Sequence, residues 1–150
     1  MITLTSDTSK WEKLKKELLS LNKVKIMTGW FDTHYGPEND NLPHAYIGNL
    51  LEEGSEKIPP RPFMRVGLKQ AVKSDPKAFA AIIQAVTSGR SALSAAKGSS
   101  PAFVAMLQKV MSDWSTPPNS PRTVAEKGRN DPLINTGELR DSIQVKVEGR

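Results

Sequence analysis

Apolar residues recur along this chain at two spacings, and the spacings divide it into helices and strands. Trp11, Leu14, Leu18 and Leu21 repeat at helical intervals with lysines between them. Ser9-x-x-Glu12 ahead of them matches a capping box, so a helix is expected over about 10–21. Val24, Ile26 and Thr28 then alternate with Lys25, Met27 and Gly29, the period-two signature of a strand within 23–31. Residues 32–43 are polar and hold two prolines and a glycine, which predicts a mobile loop. A short helix follows over 44–53, with Ala45, Ile47 or Gly48, and Leu51 on its buried side and Gly54 as its stop. Pro59, Pro60 and Pro62 forbid regular helix over 55–62.

A helix is next expected from Phe63 to Val72. It is continued over 78–86 if Pro76 only kinks it at Asp75. The Ser-, Gly- and Ala-rich stretch 87–100 reads as a flexible hinge or a weak small helix. Pro101 suits a first helical turn, and Phe103, Met106, Leu107, Val110 and Trp114 give one apolar face over 101–114. Three prolines make 115–121 an irregular connector, and 123–127 is too short to assign. Residues 136–142 read as a capped turn between the loop 130–135 and a closing strand, 143–147, in which Ile143, Val145 and Val147 share a face. The pattern predicts one α+β domain over 1–150: a small antiparallel or mixed sheet containing the first and last strands, helices packed on one face, and long polar loops.

Composition narrows the function. With 37% hydrophobic and 25% charged residues, the 150-residue chain is too apolar for a disordered tail. No apolar run approaches the roughly 18 residues of a spanning helix, and no secretory signal is visible at the N-terminus. Cysteine is absent, which removes disulfides and thiolate chemistry, and two histidines leave little for a metal site. Asp32-x-His34, with His44 further off, lacks a third ligand at a recognisable spacing. Glu52 and Glu53 are adjacent and diverge on a helix, so they read as surface charge rather than an acid–base pair. No Gly-x-Ser-x-Gly elbow and no phosphate-cradling Gly-rich loop occurs. No catalytic residue, cofactor or metal ligand is therefore expected.

Most of the net charge of +5 sits in the second half, since residues 1–75 hold 11 basic and 10 acidic residues and 76–150 hold 10 and 6. Lys57, Arg61, Arg65, Lys69 and Lys73 recur every four residues, and the last three share a helix face. Such a stripe is a hydrated face, a subunit interface or a nucleic-acid contact, although no aromatics interleave with it for base stacking. Phe63, held by a proline-stiffened segment, is a rigid anchor for a pocket in its own core or in a neighbour.

Two ordered segments say more. Residues 46–54 lead into Ile58-Pro59-Pro60-Arg61-Pro62-Phe63-Met64-Arg65. Residues 123–128 lead into Asp131-Pro132-Leu133-Ile134-Asn135-Thr136-Gly137-Glu138-Leu139-Arg140-Asp141-Ser142-Ile143. Together they resemble the neck and tail-completion (virion morphogenesis) proteins of tailed bacteriophages. The resemblance implies a non-enzymatic virion protein at the head–tail junction, made in the host cytoplasm. It would form a sixfold ring that completes the tail or joins it to the head connector; a tail-terminator ring is the close alternative. The implied partners are further copies of the chain, the head-connector and tail-tube proteins and DNA in the lumen, with no membrane. Gly54, Pro59, Pro60, Pro62, Leu133, Thr136, Gly137 and Leu139 are then structural motif residues, and Arg61, Phe63, Arg65, Lys69 and Lys73 are interface candidates. The polar loops 32–43 and 115–121 are expected to order against adjacent rings. A basic nucleic-acid-binding module is the rival from another class. Within 132–143, Thr136 is expected to cap the turn and Leu139 to point into the core.

Overall fold

The computed structural model describes residues 8–73 and 76–149. The fold is α+β: among the described residues, seven helices surround a two-stranded antiparallel sheet. The chain runs α1 (Ser9–Ser20), β1 (Val24–Gly29), α2 (His44–Glu53), α3 (Phe63–Lys73), α4 (Lys77–Thr87), α5 (Ala92–Ser99), α6 (Pro101–Ser112), α7 (Pro121–Lys127) and β2 (Gln144–Gly149), with a helical turn, Glu138–Asp141, before the last strand. The first and last strands pair in one register, from Val24 opposite Gly149 to Gly29 opposite Gln144. The expected kink at Asp75 lies outside the described residues; on either side of it α3 and α4 are separate helices.

Two cores fill the molecule. One gathers Phe63, Leu107, Val110, Met111, Leu133, Ile134, Leu139 and Ile143, with Trp30, Tyr35, Ile47 and Leu51 packed against them. The other is built on Ala92, Ala95 and Ala96 of α5 with Ile82, Val86 and Phe103, and it takes Leu14, Leu18, Val24, Ile26 and Val147 from its edge. Helix α6 serves both, with Phe103 in the second core and Leu107, Val110 and Met111 in the first.

Several expectations are corrected. Of the two readings of 87–100, the small helix is the one observed, as α5; it is no hinge, because its alanines let α4 and α5 pack closely and are themselves buried. Ser9 lies inside α1, whose N-cap position is Thr8 in helical geometry with no side-chain cap. Trp11 is 61% exposed and stands off the face that Leu14 and Leu18 bury. On α2 the buried positions are His44, Gly48 and Glu52, while Ala45 faces solvent. The loop 32–43 closes on its own chain. Tyr35 N–H donates to the Leu42 carbonyl at 2.9 Å, His44 N–H to that of Thr33 at 3.0 Å, and the tip makes a 3-10 turn over Pro37–Asn39.

Candidate functional site

The two segments that carry the resemblance fold against each other. Gly54 ends α2 at φ +77°, where a Cβ would lie 2.7 Å from the Ile58 carbonyl oxygen, so the chain turns back at once. The proline-rich segment then lies along α2, with Arg61 N–H donating to the Leu51 carbonyl at 2.8 Å, and delivers Phe63 to full burial. Phe63 meets Trp30 edge-on, ring centroids 6.1 Å apart, and shares its core with Leu133, Ile134 and Leu139 of the second segment. Trp30 ties the segments together: its indole N–H donates to the Leu139 carbonyl at 2.8 Å and to Ser142 Oγ at 3.1 Å. Gly48 makes room for that ring, since a Cβ there would stand 2.2 Å from Trp30 Cζ3.

Polar groups lock the same junction. Arg61 is only 5% exposed, and its guanidinium donates from Nε to the Pro117 carbonyl and from Nη2 to that of Pro118, both at 3.1 Å. Burial lowers its pKa from the ordinary arginine value. Glu52 is 8% exposed and accepts from the backbone N–H groups of Met64 at 2.8 Å and Arg65 at 3.2 Å, at the start of α3. A carboxylate there satisfies orphan donors and meets the positive end of the helix dipole. Arg65 completes the corner from its Nε to Glu52 at 3.0 Å and from Nη2 to Glu53 at 2.6 Å. On the far side, His44 Nε2 lies 3.3 Å from Glu138 and its ring packs against Tyr35. Burial, and then Glu138, raises the Tyr35 pKa. Lys127 reaches the carbonyls of Asp131 and Ile134. Burial foremost, with Arg129 and Arg61 adding to it against the opposing pull of Asp131, lowers its pKa.

These contacts relocate the predicted interface residues. Phe63 and Arg61 are inside the folded chain and present no surface to another copy: the first is enclosed by its core, the second by the connector it holds. Arg65 is paired with Glu52 and Glu53, so the basic stripe reduces to Lys57, Lys69 and Lys73 on the surface. The connector 115–121 is tied within its own chain through Pro117, Pro118 and Asn119. Of the motif residues, Leu133 and Leu139 are core, while Pro59 and Pro60 are exposed along the turn and Pro62 is half-buried. Gly137, not Thr136, holds the cap position, at φ +96°. Thr136 still contributes, its hydroxyl accepting from Glu138 N–H at 3.3 Å.

No family model, curated protein or solved structure matches this chain. Among the described residues no three acidic or histidine side chains gather to hold a metal, and no helix is long and apolar enough to cross a membrane. The most distinctive surface is an open apolar groove of about 490 Å³ between β1, α3, α4 and α6, lined by Val24, Ile26, Met64, Leu68, Phe79 and Phe103 among others. A smaller hollow that shares Val24, Ile26 and Phe79 extends it to Ile83. Leu68, Val72, Phe79 and Ile83 stand 38–63% exposed.

Reading the sequence missed both the groove and Glu52. The signal for Glu52 was present: α3 opens on Pro62-Phe63 with no Ser, Thr, Asp or Asn to cap it, so an outside acceptor is required. The groove had no comparable signal, because its walls come from four separate elements.

Proposed function

We propose that this chain is a structural subunit of the phage head–tail junction, one copy in a ring that completes the tail or joins it to the head connector. One observation carries the reading: the two segments that resemble neck and tail-completion proteins, 78 residues apart at Phe63 and Asp141, pack on each other around Phe63 as one unit. Around Phe63 they converge apolar side chains, with Arg61 buried on backbone carbonyls and Glu52 on backbone N–H groups, which is the chemistry of a rigid joint; Tyr35, Lys127 and Glu138 line a hollow beside it. The exposed apolar face on α3 and α4 suits a subunit that is covered when assembled.

The rival reading, a nucleic-acid module, leans on the basic stripe. It is weakened by the internal placement of Arg61 and the pairing of Arg65, which leave Lys57, Lys69 and Lys73. A phage lacking the chain should accumulate filled heads and separate tails, seen by electron microscopy of the lysate, and added protein should restore joining. Normal joined particles without it overturn the proposal. DNA affinity of the purified chain that falls steeply with salt supports the rival.

A further inference from the structure

Charge along the chain is segregated, and the segregation bears on the groove. Residues 32–56 hold six acids, Asp32, Glu38, Asp40, Glu52, Glu53 and Glu56, and no lysine or arginine. Residues 57–112 hold nine lysines and arginines and one acid, Asp75. The helices α3, α4 and α6 that wall the groove come wholly from the second stretch and contain no acid of their own. Lys69 and Lys73 continue the exposed side of α3 beyond Arg65 and make no ion pair among the described residues. Like charges four apart repel, and the apolar side chains beside them stand in water. A partner with an apolar centre and an acidic margin relieves both.

The first stretch offers such a surface. Glu52 and Glu53 are engaged with α3, but Glu38 and Asp40 are exposed at the tip of the 32–43 loop with no ion pair among the described residues. At the base of that loop Tyr46 is 57% exposed, on the first turn of α2. The loop is anchored on the Phe63 core through Tyr35, whereas Phe79 in the groove packs on Phe103 of the alanine core, ring centroids 5.1 Å apart. Met64 and Leu107 of the Phe63 core line the groove too, but no residue of 32–56 does, so the acidic surface and the groove are separate surfaces of one chain. Unlike surfaces of this kind join copies head to tail, the heterologous contact that closes into rings.

We propose that the groove receives the acidic 32–56 face of a second copy of this chain, with Tyr46 meeting the apolar floor and Glu38 and Asp40 facing Lys69 and Lys73. This rests on the ring reading above and names its contact. The test uses three full-length proteins: the natural chain, Lys69→Glu/Lys73→Glu, and Glu38→Lys/Asp40→Lys. All four positions are exposed, so the lysine variant should keep the melting temperature of the natural chain, while the acid variant, with a lysine at the φ of +55° that Asp40 holds, should lose only a few degrees and stay folded. Sedimentation at low salt and negative-stain imaging should show the natural chain assembling, and each variant alone assembling more weakly by about tenfold or more. An equimolar mixture of the two variants should regain assembly, because alternating copies place unlike charges at every contact. Rings that persist unchanged in both variants overturn this contact and leave the ring reading standing. A natural chain that stays a 16.5 kDa monomer at every concentration overturns both. Failure of the lysine variant alone, with no rescue in the mixture, overturns the contact in favour of another protein or nucleic acid in the groove.

Discussion

The two cores of this molecule solve the same problem with different materials. Around Phe63 the packing is made of large side chains from distant parts of the chain, and polar ties fix it: Trp30 to Leu139, Arg61 to the 117–118 carbonyls, Glu52 to the start of α3. Around α5 the packing is made of alanines between close helices, and its flank stays open, with Phe79 and Ile83 part-exposed and α1 burying no residue fully. Both cores use a carboxylate from an earlier helix to cap a later one. Glu17 of α1 accepts from Ala92 N–H at 2.9 Å, as Glu52 of α2 does from Met64. The difference lies in what surrounds the cap. The groove runs between the two, lined by Met64 and Leu107 of the first region and by Phe79 and Phe103 of the second. Phe63 itself is sealed by the long-range ties, whereas the flank closed by small side chains stays part-exposed.

The largest expected effect tests that contrast directly. Phe63 is fully enclosed, and Phe63→Ala should destabilise the chain by about 3–5 kcal/mol. Phe79 is 38% exposed, and Phe79→Ala should cost only about 1–2 kcal/mol in the isolated chain, with a further loss in assembly. Urea unfolding of both variants decides it. Equal losses would mean that the alanine core is as closed as the other and that the open flank is an illusion of exposure.

How much of this was legible in the sequence follows the same division. Local periodicity marks α1, β1, α2, α3, α6 and β2, because each buries a stripe or face visible within ten residues. It fails on α5, where alanine and serine carry no hydrophobic period and only tertiary packing makes them core. Phe63 reads as an anchor for its own core or for a neighbour's, and the structure gives the first; Arg61 reads as surface charge because a proline-rich segment looks external. The connector 115–121 and the loop 130–135 cover them, and nothing in either stretch announces that. Glu52 beside Glu53 reads as helix surface for a similar reason: its acceptors' partners lie across a turn.

An intermediate effect separates the two carboxylate caps. Glu52 is nearly buried and serves two backbone N–H groups and the Arg65 guanidinium. Glu52→Ala strands those donors in a poorly hydrated corner and should cost about 1–3 kcal/mol. Glu17 is half-exposed and serves one N–H, with Ser91 capping the same helix through Ser94 N–H. Glu17→Ala should therefore cost about 1 kcal/mol or less. Paired thermal melts sharpen the comparison. A loss at Glu17 as large as that at Glu52 would place a locked joint in the alanine core as well.

The smallest effect concerns Thr136, in the second of the two segments that pack around Phe63. Its hydroxyl accepts one long bond, 3.3 Å, from Glu138 N–H, and the residue is exposed. The cap position itself belongs to Gly137, whose φ of +96° already sets the entry to the turn. Water can replace the hydroxyl, so Thr136→Ala should cost only about 0.5 kcal/mol. Three residues on, Leu139 is 7% exposed in the Phe63 core, and its carbonyl holds Trp30. The motif is then recognisable by its polar letters but held by its apolar ones. A loss above about 2 kcal/mol for Thr136→Ala, beyond the usual worth of a cap, would mean that the hydroxyl orders the whole 132–139 segment. The junction core would then depend on a surface bond, and the contrast with the open alanine flank would shrink.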